Sequence, residues 1–199
     1  MLQGIIFDLD NTLVDSRLDF DAMREEMGLA SDLRILEAIA ELPEEHAARC
    51  HQILAKHESE GAACATLLPG VAELIDEITS RDWRLGIVTR NSRHNAQATL
   101  ENVGLRPHTL ITRDDGPIKP DPWPVRKVCE GWGIEARRAV MIGDYRFDVD
   151  SGREAGTRTV LLSHPVPPHE YPNEEGADLV LSSLAEWKRL LAWLDSLTL

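Results

Sequence analysis

Residues 2–10 of this 199-residue chain read LQGIIFDLD. The apolar, β-branched run predicts a short strand over residues 2–7 that is buried on both faces. Asp8 ends this strand, and a second acid follows at Asp10. Strands buried in this way are typical of parallel sheets that helices cover on both sides. The beginning of the chain therefore predicts an α/β fold with two carboxylates at the end of its first strand.

The rest of the chain supports this fold class, because from residue 67 onward predicted helices alternate with predicted strands. Such alternation, with right-handed crossovers, predicts an α/β fold with a doubly wound parallel sheet. A Pro-rich loop is expected near residues 163–177. The expected strands cover residues 84–89, 109–112, 139–142, 159–162 and 179–181, and the expected helices cover residues 71–80, 94–103, 124–132, 147–155 and 184–197.

One segment interrupts the alternation directly after the first strand. It is rich in Ala, Glu, Leu and Arg, with apolar residues at helical spacing, and it predicts two or three helices and no strand. We therefore expect two parts in the chain. Residues 1–16 and 67–199 would form the α/β core, and residues 17–66 would form a small helical cap.

Charge and composition limit the function classes. The formal net charge of −13 disfavours nucleic acids and anionic membranes as partners, because both select basic surfaces. The three cysteines, Cys50, Cys64 and Cys129, lack the paired spacing of a disulfide framework. No apolar run approaches the roughly 20 residues that span a bilayer, and the first ten residues do not read as a signal peptide. We expect a cytoplasmic protein, and the oligomeric state stays open.

Polar side chains follow four of the predicted strands. In open α/β sheets, ligands bind beyond the carboxyl ends of the strands, so we expect these side chains to converge. Their types are two pairs of acids, a hydroxyl with neighbouring polar groups, and an ammonium. The residues are Asp8 and Asp10; Thr89, Arg90 and Asn91; Lys119; and Asp144 with Asp148.

These residue types predict a site for a metal ion and a phosphate group. Two carboxylates about 4 Å apart repel by about 4 kcal/mol at an effective dielectric of 20, so either one is protonated or a divalent cation lies among them. A set of metal ligands that consists of oxygen atoms alone favours Mg²⁺. The Thr89 hydroxyl and the Lys119 ammonium would bind phosphate oxygens and reverse the negative sign of the site locally. The expected partner is a small-molecule phosphate ester.

Four motifs in the chain resemble those of the haloacid dehalogenase superfamily, specifically its phosphatase branch. They are FDLDNTLVDS at residues 7–16, VTRN at 88–91, KPDP at 119–122, and IGD at 142–144 followed by Asp148. The helical insert resembles the C1-type cap of this family, and the whole chain resembles members that act on phosphoglycolate. The resemblance implies a phosphomonoester hydrolase.

The resemblance also implies roles for the acids. Asp8 would be the nucleophile and would form an aspartyl-phosphate, while Asp10 would act as general acid and then general base. Asp8, the backbone carbonyl of Asp10, and Asp144 would bind Mg²⁺. Asp148 would bind it directly or through water.

By the same resemblance, the second and third motifs would supply the phosphate-binding residues. Thr89 and Lys119 would hold the transferring phosphoryl group. Arg90 and Asn91 lie beside Thr89 and are further candidates for contacts with phosphate or substrate.

Simpler interpretations remain open at this stage. Asp8 and Asp10 suit a turn at a strand end, and Thr89 suits the cap of the next helix. Asp148 has two simple roles, to cap its own helix or to orient Lys119. For the whole protein, the alternatives are a phosphomutase of the same superfamily, a phospho-receiver or binding module, and a non-catalytic scaffold.

Overall fold

The central sheet contains six parallel strands within the residues that the computed structural model describes, 1–163 and 176–197. A separate antiparallel ribbon of two short strands lies apart from it. In chain order the strands are β1 (Gly4–Phe7), β2 (Val14–Asp15), β3 (Thr66–Leu67), β4 (Arg84–Val88), β5 (Thr109–Ile111), β6 (Ala139–Gly143), β7 (Arg158–Leu162) and β8 (Leu179–Leu181). The order in the sheet is β5-β4-β1-β6-β7-β8, and β2 pairs with β3.

Helices cover both faces of the sheet, and three more lie between β2 and β3. Short 3-10 helices precede β6 and the last helix, at Ala136–Arg138 and Leu184–Glu186. The α-helices are α1 (Phe20–Met27), α2 (Ile35–Ala40), α3 (Glu44–Cys64), α4 (Val71–Ser80), α5 (Arg93–Val103), α6 (Trp123–Trp132), α7 (Arg146–Ala155) and α8 (Trp187–Ser196).

Strand β1 lies in the middle of the sheet because every side chain in it can be buried. It pairs in parallel with β4 on one side and β6 on the other. Ile5 and Phe7 pack in one hydrophobic cluster with residues of α4, α5 and α8. Ile6 points the other way and packs in a second cluster with residues of α6. The alternation of side chains along a strand thus builds the two cores of a doubly wound sheet, which confirms the predicted fold class.

The insert has a hydrophobic core of its own. Buried side chains from α1, α2 and α3 form a third cluster, which includes Met23, Ile39 and Leu54. Asp19 caps α1 by accepting a 2.9 Å hydrogen bond from the backbone N–H of Ala22. The chain enters and leaves this helical group through the β2–β3 ribbon.

The predicted elements of the sheet agree with the structure to within about two residues at each end. The last helix differs more, because its first turn, Leu184–Glu186, is a 3-10 helix. Most of the expected Pro-rich loop, residues 164–175, lies outside the described residues. None of the helices described combines the length and the apolar character needed to cross a bilayer.

Candidate active site

The carboxyl ends of three neighbouring strands bring the predicted site residues to one edge of the sheet. Asp8 follows β1, Thr89 follows β4 and Asp144 follows β6. Because these strands are adjacent and parallel, the three side chains leave the sheet on the same edge. Lys119 comes from the loop between β5 and α6, and Asp148 from the first turn of α7.

The ammonium of Lys119 joins two of the acids. Its Nζ lies 2.6 Å from Oδ1 of Asp8 and 2.6 Å from Oδ1 of Asp148. Burial alone would lower the pKa of Lys119, but the charges of Asp148 and Asp8 outweigh it and raise this pKa above 10.5. The side chain therefore carries a fixed positive charge inside a cluster of carboxylates.

Three carboxylates crowd around that charge. Asp8, Asp144 and Asp148 each present an oxygen within 4.8 Å of the other two. Burial, together with repulsion from Asp8 and Asp148, raises the pKa of Asp144 well above 3.8. Burial also raises the pKa of Asp148 to about 6, although Lys119 opposes this shift. Converging oxygen donors that repel one another fit a hard divalent cation such as Mg²⁺.

Glycine at position 143 makes room for this arrangement. A Cβ added there would lie 2.1 Å from Cγ of Asp148, so a side chain at this position would force Asp148 to move. Asp148 also accepts a 3.0 Å hydrogen bond from the backbone N–H of Tyr145, so it caps α7 and pairs with Lys119 at once. Thr12 donates a 3.3 Å hydrogen bond to Oδ1 of Asp144.

Asp10 has a different environment from the three clustered acids. Ser16 Oγ donates a 2.6 Å hydrogen bond to its Oδ1, and Asn91 Nδ2 donates a 3.3 Å hydrogen bond to its Oδ2. Burial raises the pKa of Asp10 to about 6, helped by Asp8 and opposed by these two hydrogen bonds. A carboxyl with this pKa exchanges a proton near neutral pH.

The loop after β4 is ordered by its own side chains. The backbone N–H of Asn91 donates a 3.0 Å hydrogen bond to Oγ1 of Thr89. Ser92, and not Thr89, caps α5, since Ser92 Oγ accepts from the backbone N–H of Asn95. Thr89 itself is buried at the end of its strand.

Arg90 connects the loop after β4 to the insert. Its Nη1 donates a 3.0 Å hydrogen bond to the backbone carbonyl of Lys119, and its Nη2 lies 2.8 and 2.7 Å from the two oxygens of Glu37 in α2. Partial burial would raise the pKa of Glu37, but Arg90 and, more weakly, Arg34 lower it. The guanidinium carbons of Arg34 and Arg90 lie 4.5 and 4.7 Å from the ring centroid of Phe147.

Several of these contacts could not be read from the sequence. The partners Glu37, Arg34 and Phe147 are far from Arg90 along the chain, and no motif links them. The contact of Ser16 with Asp10 did have a signal in the sequence, because Ser16 belongs to the first motif and its hydroxyl follows Asp10 by six residues. Asn91 was expected to bind phosphate, and in the structure its amide faces Asp10.

The residue after Asp10 has a backbone conformation that most residues with a side chain avoid. Asn11 follows Asp10 with a φ of 59°, in the left-handed region. Asn adopts this conformation more readily than most residues with a side chain. The turn therefore keeps its shape at a position where glycine is the simplest choice.

Comparisons with known proteins agree with this fold. The N-acetylmuramic acid 6-phosphate phosphatase of Pseudomonas putida is 28% identical to this chain over an alignment 214 residues long, which covers 96% of each of the two proteins. The phosphoglycolate phosphatase of Rhodospirillum rubrum is 29% identical over 194 residues, 82% of this chain and 80% of that protein. The crystal structure of a hydrolase from Pseudomonas syringae has the same fold, with a TM-score of 0.78 and 24% identity over 98% of this chain and 99% of that chain.

A sequence model of one protein family matches most of the chain. This model is described as haloacid dehalogenase-like hydrolase, and it matches residues 5–162, which include all four motifs. The chain belongs to the haloacid dehalogenase-like hydrolase family.

Proposed function

We propose that the protein is a Mg²⁺-dependent phosphatase that hydrolyses a small phosphate monoester through an aspartyl-phosphate at Asp8. The observation that carries this proposal is the contact of the Lys119 ammonium with Asp8, 2.6 Å away, inside the group of acids that also contains Asp144 and Asp148. The relatives in Pseudomonas putida and Rhodospirillum rubrum are both named as phosphatases, which supports the same reaction here.

The first step is attack by Asp8 on phosphorus. A carboxylate oxygen of Asp8 forms a bond to phosphorus as the bond to the ester oxygen breaks. The side chain of Asp8 is 15% exposed, so a phosphate group can reach it from solvent. The positive charge of Lys119 offsets the repulsion between the attacking carboxylate and the anionic ester. Thr89, at the end of the neighbouring strand, offers a hydroxyl to a phosphoryl oxygen.

Asp10 handles the proton in both steps. When it is protonated, it gives its proton to the leaving oxygen. The resulting carboxylate then takes a proton from the water that attacks phosphorus, as the bond between phosphorus and the Asp8 oxygen breaks and frees Asp8. A pKa of about 6 suits both directions near neutral pH. The hydrogen bonds from Ser16 and Asn91 hold the carboxyl in place between the two steps.

The metal ion would be held by Asp8, Asp144, Asp148 and the backbone carbonyl of Asp10. When bound, Mg²⁺ neutralises negative charge on the phosphoryl group and on the acids. Without it, the described acids repel one another, which is the physical reason why we expect turnover to depend on a divalent cation.

The finer part of the proposal concerns substrate and domain organisation. We treat residues 17–66 as a cap that covers the site, and residues 1–16 and 67–199 as the catalytic core. The β2–β3 ribbon would act as the hinge through which the cap opens and closes. The substrate would be a small phosphorylated metabolite similar in size and charge to phosphoglycolate.

Hydrolysis of an aryl phosphate tests the proposal. The wild-type protein should release phosphate with Mg²⁺ and stop in EDTA, and Asp8→Asn should lose at least about 10³-fold in rate because no nucleophile remains. Asp76→Asn, an exposed change on α4, is the matched control and should keep full activity. Full activity of Asp8→Asn, or turnover in EDTA, would contradict the mechanism. A stable phosphoenzyme without turnover would instead indicate a receiver.

A further inference from the structure

We propose that Arg113 is a positioning residue of the active site, and that Glu58 of the helical insert holds it in place. Arg113 would fix the backbone of the loop after β4, residues 89–91, so that the Thr89 hydroxyl and the Asn91 amide are directed into the site. This inference rests on the proposed phosphatase function, because it explains how two side chains of that site are oriented.

Arg113 binds two consecutive backbone carbonyls of the loop after β4. It follows β5, the neighbour of β4 in the sheet, by two residues. Its Nη1 donates a 3.1 Å hydrogen bond to the carbonyl of Arg90, and its backbone N–H donates a 3.2 Å hydrogen bond to the carbonyl of Asn91. One residue of the neighbouring loop therefore fixes both peptide planes that follow Arg90 and Asn91.

The fixed peptide planes determine where two backbone N–H groups point. In a planar trans peptide the N–H is directed opposite to the C=O, so the N–H groups of Asn91 and Ser92 point away from the donors of Arg113. The N–H of Asn91 donates a 3.0 Å hydrogen bond to Oγ1 of Thr89, and the N–H of Ser92 donates a 2.8 Å hydrogen bond to Oδ1 of Asn91. Each N–H group thus orients a side chain that the proposed reaction uses.

The two oriented side chains have different functions in the reaction. Because Oγ1 of Thr89 accepts from the backbone, the hydroxyl can donate its own proton to a phosphoryl oxygen. Because Oδ1 of Asn91 accepts from Ser92, its Nδ2 is turned toward Oδ2 of Asp10, 3.3 Å away. Rotation of either peptide plane would therefore displace a phosphate donor or the support of the group that transfers protons.

Glu58 fixes the direction of the Arg113 guanidinium. Its Oε1 accepts from Nη1 of Arg113 and its Oε2 accepts from Nη2 over 2.9 Å, and such a paired contact sets orientation as well as energy. Oε2 of Glu58 also accepts a 3.1 Å hydrogen bond from Nδ2 of Asn95, in the first turn of α5. The side chains of Glu58 and Arg113 are 6% and 17% exposed, so salt screens the pair little. Because Glu58 belongs to α3, the insert supports the loop after β4 directly.

Arg113→Lys separates positioning from stability, because it keeps a positive charge beside Glu58 and loses the forked guanidinium. The folded variant should hydrolyse an aryl phosphate with a kcat at least about tenfold lower, since misplaced groups fail mainly in the transition state. Its KM should stay within about threefold of the wild-type value. A pair that only stabilised the fold would leave the kcat of the folded protein unchanged.

Binding of two inorganic anions gives a second measurement that does not depend on turnover. Orthovanadate, which adopts the five-coordinate geometry of the transferring phosphoryl group, should bind Arg113→Lys at least about tenfold more weakly than wild type. Inorganic phosphate, which is tetrahedral, should lose less than about threefold in affinity. Titration calorimetry in the presence of Mg²⁺ measures both dissociation constants.

Arg84→Lys is the matched control. The guanidinium of Arg84 also donates to a backbone carbonyl, that of Trp132, but Arg84 lies at the opposite end of β4 from the site. The same substitution there should leave kcat and both affinities unchanged.

A double variant keeps the test decisive if Arg113→Lys does not fold. Glu58→Met combined with Arg113→Met leaves neither charge unpaired, and it should also be at least about tenfold slower than wild type. The inference is wrong if a folded Arg113→Lys or the folded double variant keeps the wild-type kcat and the wild-type affinity for vanadate. Urea denaturation gives the folded fraction of each variant. An inactive wild-type protein would overturn the proposed function instead.

Discussion

Lys119 and Asp148 form an ion pair with an Nζ to Oδ1 distance of 2.6 Å, and each side chain is only 2% exposed. Lys119 contacts Asp8 at the same distance. Removal of one partner from a buried ion pair is costly, because the remaining charge is left without compensation. The pair is therefore a structural element as well as part of the proposed site.

Lys119→Met should lower the free energy of unfolding by about 3 kcal/mol in the presence of EDTA, since the clustered acids then repel without a cation between them. Urea denaturation measures this change. Added Mg²⁺ should stabilise the variant more than the wild-type protein, because it replaces the missing positive charge. Lys127→Met, which removes an exposed lysine 3.9 Å from Glu130, is the control and should change stability by less than about 0.5 kcal/mol. Equal stability of Lys119→Met and wild type in EDTA would contradict this view.

Gly143→Ala should remove activity while the protein still folds. The added methyl group would lie 2.1 Å from Cγ of Asp148, so Asp148 must move away from Lys119. We expect a loss of at least about 100-fold in kcat/KM for an aryl phosphate, because a displacement of about 1 Å is enough for such an effect. Gly131→Ala is the control, since Gly131 is the last residue but one of α6 and a Cβ there meets nothing within 4 Å. It should keep activity and gain up to about 1 kcal/mol of stability. Normal activity of Gly143→Ala would show that the position of Asp148 is not critical.

Glu58 ties the insert to the sheet. It is a buried residue of α3, and its Oε2 accepts a 2.9 Å hydrogen bond from Nη2 of Arg113 and a 3.1 Å hydrogen bond from Nδ2 of Asn95. Glu58→Ala should lower the free energy of unfolding by about 3 kcal/mol, because Arg113 is left partly buried without its partner. Glu60→Ala, an exposed change two residues along the same helix, is the control.

A double change separates the charge from the packing at this contact. Combining Glu58→Met with Arg113→Met leaves neither charge unpaired, so it should cost less than Glu58→Ala alone. Urea denaturation of the wild-type protein, Glu58→Ala, Glu60→Ala and the double variant gives this comparison. A double variant less stable than Glu58→Ala would mean that the ion pair itself stabilises the protein strongly.

The sheet and most of its helices could be predicted because their signals are local. Strand β1 has an apolar run that Asp8 ends, and helices such as α5 end at a glycine in the left-handed region, Gly104. The β2–β3 ribbon could not be predicted, since two residues per strand carry no periodicity. The short 3-10 helix before α8 depends on Ser183, whose hydroxyl accepts from the backbone N–H of Ala185.

The site shows the same division between local and distant signals. The motifs name Asp8, Thr89, Lys119 and Asp144 because polar residues at the ends of parallel strands must meet at one edge. The contact between Arg90 and Glu37, in contrast, joins residues that are 53 positions apart in the chain. This contact depends on how the insert packs on the sheet, and the sequence of neither segment contains a pattern that predicts this packing.

Asp10→Asn should stabilise the protein above pH 6 although it should also remove turnover. The native pKa of Asp10 is about 6 and its ordinary value is 3.8, so the native state binds this proton more tightly than the unfolded state. Native stability therefore falls as the pH rises from about 4 to about 6, and it stays lower at higher pH.

The asparagine variant removes this pH dependence, because asparagine cannot ionise. Ser16 can turn its hydroxyl to accept a hydrogen bond from the new amide, while Asn91 still donates to the amide oxygen. Urea denaturation in EDTA should find the variant more stable than wild type by on the order of 1–2 kcal/mol at pH 7.5 and equal to it near pH 4. Asp76→Asn should show no such divergence, and a stability difference for Asp10→Asn that is constant from pH 4 to 8 would refute the raised pKa.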